Sequence, residues 1–135
     1  MTDQTHATIA AYFEAFNAGD RDAMLALVTD DVVHHVNEGG ARKGREAFAD
    51  FLGHMARCYS ERLEGLVILT GAGGSRGAAE FTVHGRYLAT DAGLPEARGQ
   101  TYSLPAGTFF TLRAGRIARV TTYYNLRDWV WQVSG

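Results

Sequence analysis

Four polar side chains within or next to otherwise apolar segments are the residues that could do chemistry: Tyr12, His34, His35 and Glu38. An unpaired polar group in apolar surroundings costs about 1 to 3 kcal/mol, so such groups are candidates for function. A tyrosine hydroxyl can polarise a carbonyl group, and a neutral imidazole can move a proton near neutral pH. The set therefore indicates proton transfer on a carbonyl compound.

His34 and His35 are adjacent in a strand-like segment, residues 32–36. Successive strand residues point to opposite faces of a sheet, so only one of the two imidazoles can face a pocket. Glu38 follows this segment, where its carboxylate can act as a base or be solvated. Structural alternatives also exist: Tyr12 can hydrogen-bond to a backbone carbonyl, and a histidine can be a satisfied core residue.

Three amphipathic segments predict the helices that would position these groups. The first helix carries large side chains at i, i+3, i+4 and i+7, beginning at Ile9. Gly19 suits the left-handed position after a helix, and Asp20 can cap the helix that follows. A second apolar stripe covers residues 24–28 and ends at an aspartate pair. A third helical pattern covers residues 44–55.

Most of the remaining chain has the alternation of β-strands, and helices followed by strands indicate an α+β fold. The predicted strands cover residues 63–70, 78–88, 101–113 and 116–125. Pro105 and Gly107 predict a bulge or bend in the third of them. A short helical turn is expected over residues 126–133.

The segment from residue 9 to 31 resembles the beginning of nuclear transport factor 2-like proteins, which include ketosteroid isomerases and SnoaL-like polyketide cyclases. A tyrosine-containing helix, an Asn-Ala-Gly-Asp corner, a short second helix and an aspartate pair form that superfamily's usual opening. Residues 44–55 are similar to its third helix, and residues 115–125 to its last strand. The resemblance implies a cystatin-like cone: a curved, mixed or antiparallel sheet wrapped on three N-terminal helices.

The resemblance also implies which positions face the ligand site inside the cone. Tyr12 matches the tyrosine that donates an oxyanion hydrogen bond in ketosteroid isomerases. The family's pattern places His34, Val36 and Glu38 on the cavity side, and Tyr124 matches a pocket aromatic. The residues expected to contact a ligand are Phe16, Val36, Phe51, Met55, Tyr59, Tyr102, Phe110, Tyr124 and Trp129.

The sequence departs from the ketosteroid isomerases at both of their acids. Val36 occupies the position of the carboxylate base, and the second acid falls near Gly107 or Thr108. Steroid isomerisation by that pair of acids is therefore not expected.

Composition narrows the possible partners. The chain has 135 residues, a hydrophobic content of 46% and a net charge of -2, as expected for one globular domain over residues 1–135. Its 13 basic residues are scattered, which favours neither nucleic acid nor a membrane surface as a partner. The single cysteine excludes an internal disulfide, and no metal-ligand spacing or cofactor motif is found, so we expect no metal or cofactor. The N-terminus lacks the pattern of a secretion signal, which predicts a cytoplasmic protein.

Two functions that involve a small molecule remain open. The first is a cofactor-independent isomerase or cyclase that transfers a proton on a small cyclic carbonyl compound in an apolar pocket, with His34, Glu38 or His35 as the base. The alternative is a non-catalytic binding protein for a small apolar molecule. A third possibility, a protein interaction domain like the superfamily's transport factor, would need a large exposed apolar patch beyond the dimer face.

In the family, the outer sheet face usually pairs subunits. A homodimer through the face that carries Glu80, Thr82, His84 and Arg86 is therefore expected. Glu80 could instead orient the imidazole of His84.

Overall fold

The computed structural model describes residues 2–36 and 38–135, with side chains described from residue 4. The helices are α1 (Thr2–Ala18), α2 (Arg21–Ala26), α3 (Arg45–Cys58) and α4 (Leu126–Ser134). The strands are β1 (Val28–Val36), β2 (Ala41–Lys43), β3 (Tyr59–Thr70), β4 (Arg76–Tyr87), β5 (Thr101–Arg113) and β6 (Arg116–Tyr124). None of the helices in this part of the chain is long and apolar enough to cross a membrane.

The corner between α1 and α2 forms as the sequence predicts. Gly19 has a φ of 70°, which only glycine adopts without strain. The Asp20 side chain accepts a hydrogen bond of 3.0 Å from the amide of Ala23 and so caps α2. This corner turns the chain back so that α2 packs against α1 and α3.

The six strands form one sheet in the order β2-β1-β6-β5-β4-β3. The β1–β6 pair is parallel and the other pairs are antiparallel, so the sheet is mixed. The α+β fold and the three N-terminal helices on a curved sheet are confirmed. The C-terminal helical turn is a full helix, α4, which Asn125 caps by accepting a hydrogen bond from the amide of Asp128.

Strand β1 begins earlier than the sequence predicts. The aspartate pair, Asp30 and Asp31, lies inside the strand, where the pairing with β6 shifts between Val28 and Val33. Both side chains leave the sheet toward solvent, and Asp31 lies 2.6 Å from the guanidinium of Arg113. This irregularity removes the alternation that would have shown the strand's true start.

The predicted bulge at Pro105 and Gly107 is wrong. The pairing of β5 with β4 is continuous through both residues, and the register shift lies instead between Thr111 and Leu112, on the β6 side. The pairing of β5 with β6 ends at Ala106, so β5 has only one neighbouring strand at Pro105. A proline, which has no amide N–H to donate, is tolerated at such a position.

Two groups of buried side chains hold the layers together. The larger one packs α1 and α3 on the concave face of the sheet through Ile9, Phe13 and Phe48, all at most 3% exposed. The smaller one packs α4 on β4 and β5 through Trp129 and Tyr87. The helices therefore enclose the concave face of the sheet from two ends.

Candidate active site

A cavity of about 500 Å³ lies between the concave face of the sheet and helices α1, α3 and α4. That volume suits a small organic molecule of a few rings. Three groups of polar side chains interrupt its apolar walls: Tyr12 with His34, Glu61 with Tyr102, and Asp91 with His54 and Tyr59.

The structure places most of the expected site residues in the wall of this cavity. Tyr12, His34 and Glu38 line it, with Glu38 exposed. So do eight of the nine expected ligand contacts: Phe16, Val36, Phe51, Met55, Tyr59, Tyr102, Tyr124 and Trp129.

Two expected site residues lie elsewhere. His35 points to the other face of β1 from His34 and is absent from the cavity wall, so the alternation of the strand excludes it as the base. Phe110 is 1% exposed and packs edge-on against Tyr12, with ring centroids 5.4 Å apart. It is a core residue behind the wall and cannot contact a ligand.

Tyr12 lies in the cavity wall between aromatic rings. Its ring meets those of Phe13 and Phe110 edge to face, at 5.3 and 5.4 Å between centroids. Among the residues that the structure describes, none hydrogen-bonds to its hydroxyl. Burial raises the pKa of Tyr12 well above its usual value, so the hydroxyl keeps its proton and remains a donor.

His34 is 4% exposed and lies above two aromatic rings, with centroids 4.4 Å from Phe51 and 5.0 Å from Phe48. Its Nδ1 atom is buried and has no hydrogen-bond partner. Burial, followed by the charges of Arg42 and His35, lowers the pKa of His34 to about 4. The imidazole is therefore neutral at pH 7 and can accept a proton or a hydrogen bond.

The second polar group spans three strands in one row. Glu61 on β3 and Tyr102 on β5 are both paired with Gly85 on β4, and the Tyr102 hydroxyl donates a hydrogen bond of 2.5 Å to Glu61. A side chain at Gly85 would overlap the tyrosine ring, because its Cβ would lie 2.2 Å from Cζ. Glycine therefore lets the ring cross β4. Burial raises the pKa of the Glu61 carboxyl group despite this hydrogen bond.

The third polar group joins α3 to the loop after β4. Asp91 accepts hydrogen bonds from His54 Nε2 at 2.9 Å and from the Tyr59 hydroxyl at 2.7 Å. The backbone amide of Asp91 donates to the hydroxyl of Tyr87, whose ring stacks on that of Tyr59 at 5.4 Å. A carboxylate held in this way orients the imidazole of His54.

This third group is also the place where a metal ion could bind. Atoms of His54, Cys58 and Asp91 that can serve as ligands lie within 4.8 Å of one another, with Cys58 Sγ 3.9 Å from His54 Nε2. However, burial and the charge of Asp91 raise the pKa of the Cys58 thiol, which opposes the thiolate that a metal requires. The hydrogen bonds already satisfy both oxygens of Asp91, so the geometry explains the cluster without a metal.

Sequence reasoning missed Arg42, His54, Glu61 and Asp91, which all line the cavity. His54 and Cys58 are spaced i, i+4 on a helix, a signal that could have been noticed. Asp91 is 37 residues from His54, and only the fold brings them together. The sequence around Glu61 and Arg42 does not mark either residue as part of a site. Glu61 precedes the predicted strand, and Arg42 lies in a strand of only three residues.

On the outer face of the sheet, His84 pairs with Glu64 on β3, at 2.9 Å, and not with Glu80. Glu80 and His84 are four residues apart on one strand, a separation of about 13 Å, whereas neighbouring strands lie about 5 Å apart. The expected Glu80–His84 pair is therefore wrong.

The comparisons with known proteins identify the family. Residues 9–120 match the SnoaL-like domain, and the chain belongs to that family. The resemblance seen in the sequence is thereby confirmed. No curated protein sequence is significantly similar to this chain.

Solved structures give the same result. A "putative polyketide cyclase" from Pseudomonas putida KT2440 is 57% identical, with a TM-score of 0.95 over 98% of each chain. Another, from Silicibacter sp. TM1040, is 61% identical, with a TM-score of 0.95 over 97% of this chain and 96% of that one. An NTF2-like protein from Burkholderia xenovorans LB400 shares the fold at 17% identity, with a TM-score of 0.78 over 98% of each chain. The family supports a role of the cyclase or isomerase type in general.

Proposed function

We propose that the protein is a cofactor-independent isomerase or cyclase that transfers a proton on a small cyclic carbonyl compound. One observation carries this proposal: a buried neutral imidazole with an unpartnered Nδ1 and a buried tyrosine that keeps its proton line the same apolar cavity. Apolar walls lower the local dielectric constant, which strengthens each hydrogen bond made inside the cavity.

In the proposed reaction, His34 removes a proton from the carbon next to the substrate carbonyl. The C–H electron pair forms the enolate, and Tyr12 donates a hydrogen bond to its oxygen. In an isomerisation, the imidazolium returns this proton to a different carbon of the conjugated enolate. In a cyclisation, the enolate carbon attacks a second carbonyl group to close a ring, and the imidazolium gives its proton to the new alkoxide. A base with a pKa near 4 is weak, but the apolar site and the tyrosine compensate by stabilising the enolate.

The structure supports the choice of His34 over the other expected bases. Glu38 lines the cavity but is exposed, so water solvates its carboxylate. His35 lies outside the cavity wall. His34 alone among the three is both buried and part of the cavity wall.

The test uses 2-tetralone, a bicyclic ketone, dissolved in D₂O. NMR measures the rate at which deuterium replaces the protons on the carbons next to its carbonyl group. We expect the wild type to catalyse exchange, Tyr12→Phe to reduce the rate roughly 10²-fold or more, and His34→Leu to reduce it by roughly 10² to 10⁴. His35→Ala is the matched control and should keep the wild-type rate. Equal rates in wild type, Tyr12→Phe and His34→Leu would remove the catalytic proposal and leave the binding protein.

The remaining expectations about partners are proposed on general grounds. A small apolar molecule is the proposed ligand, because the cavity is mostly apolar. We also propose a cytoplasmic homodimer that binds neither nucleic acid nor membranes, in keeping with the net charge of -2 and the scattered basic residues.

A further inference from the structure

Arg42 is a half-buried cation that forms no ion pair with the described residues. It lies on β2, and its Nη1 atom is buried and has no hydrogen-bond partner. Its guanidinium carbon lies 4.7 Å above the ring of Phe51. Among the described residues that line the cavity, Arg42 is the only arginine or lysine. Glu38 also lines the cavity, but it forms no ion pair with Arg42.

The unpartnered nitrogen of His34 lies beside this cation. His34 on β1 and Arg42 on β2 are directly paired in the sheet, and both side chains pack on the ring of Phe51. Two neighbouring unpartnered nitrogens are costly, because each buried polar group that lacks a partner destabilises the fold. Native structures keep few such groups, and a missing ligand is one cause.

The two carboxylates deeper in the cavity already have partners, whereas Glu38 is exposed. Asp91 is bonded to His54 and Tyr59, and Glu61 to Tyr102. The free positive charge is thus at the end of the cavity formed by β1, β2 and α3. A guanidinium offers paired N–H donors in a planar fork that matches a carboxylate.

We infer that Arg42 binds a carboxylate group of the substrate, so that the substrate is a carboxylate-bearing cyclic carbonyl compound. That the substrate also carries a carbonyl group rests on the proposed function. A carboxylate on Arg42 would lay the substrate ring against Phe51. The adjacent carbons would then lie next to His34 Nδ1, where the proposed proton transfer takes place.

The test compares 2-naphthoate with methyl 2-naphthoate, a neutral ester of the same ring system, by isothermal titration calorimetry at low salt. We expect the wild type to bind the acid at least about tenfold more tightly than the ester. Arg42→Met keeps an unbranched apolar stem over Phe51 and should abolish this preference, while Arg42→Lys should keep part of it. Arg62→Met, which removes an exposed cation outside this cavity, is the control and should keep the full preference.

The outcomes separate this inference from the proposed function. Equal affinity for acid and ester in the wild type, binding of neither probe, or a preference that survives in Arg42→Met would overturn it. The measurement needs no turnover. The protein can therefore catalyse α-proton exchange without preferring the acid over the ester, and it can prefer the acid without catalysing exchange.

Discussion

At the scale of single residues, His34 ties function to stability. The same burial that keeps its imidazole neutral at pH 7 makes protonation costly in the folded state. An unfolded chain has no such penalty and binds the proton near the ordinary histidine pKa of about 6.5. A site prepared for proton transfer therefore carries a cost in acid.

We predict that His34 makes the fold less stable as the pH falls from 6.5 toward 4. In this range the unfolded chain binds more protons than the folded protein, so the free energy of unfolding decreases with falling pH. The loss by pH 4 should be about 3 kcal/mol. Urea unfolding of the wild type and of His34→Leu at pH 7 and pH 4 measures this contribution. All other groups titrate in both proteins, so the difference between the two losses of stability is due to His34. An equal loss of stability in the two proteins would show that His34 does not bind its proton at this low pKa.

At the scale of elements, the row Glu61–Gly85–Tyr102 shows how three strands cooperate to place one polar pair. The tyrosine reaches across β4 because glycine leaves the space open. Tyr102 also packs edge-on against Trp129, at 5.8 Å between ring centroids, and so links the sheet to α4.

We predict that Gly85→Ala lowers the free energy of unfolding by about 1 to 3 kcal/mol, because the new methyl group and the Tyr102 ring cannot occupy the same space. Gly107→Ala on β5 is a control, since its Cβ would lie 3.5 Å from the nearest atom outside its chain neighbours, an ordinary contact. A double-mutant cycle identifies the cause: in a Tyr102→Ala background the Gly85 substitution should cost much less. A cost of equal size in both backgrounds would rule out the clash.

Helices were easier to predict from the sequence than strand ends. The apolar stripes of α1 and α3 follow the helical period over several turns, and they were found. The starts of β1 and β3 lie outside the predicted strands. In β1 the pairing shifts between Val28 and Val33, and this irregularity breaks the alternation. Strand β3 begins at Tyr59, directly after α3 ends at Cys58, with no loop to mark the boundary. Likewise, Tyr12 and His34 stand out as polar groups in apolar segments, whereas the His54–Asp91 pair exists only after folding.

At the scale of the whole molecule, one outer surface of the sheet is apolar. Phe109 and Tyr123 are 49% and 48% exposed, and their rings meet edge to face at 5.7 Å. Val67 and Leu69 are 49% and 59% exposed, and Ala78 pairs with both Leu69 and Phe109, which places the two side chains in one row. An apolar patch of this kind on a sheet is typical of a surface that another protein covers. It lies on the face of the sheet proposed to form the homodimer.

We predict that Phe109→Glu converts the dimer into a monomer, because a carboxylate placed opposite the same patch of a second copy would be buried without a partner. Sedimentation velocity at micromolar concentration measures the change. Trp131→Glu is the matched control: Trp131 is 78% exposed but lies on α4, outside the sheet, so the dimer should persist. A wild type that sediments as a monomer, or a Phe109→Glu variant that remains a dimer, would exclude this face as the subunit interface. The cavity opens on the opposite face of the sheet, so the Phe109→Glu monomer should still bind a cavity ligand.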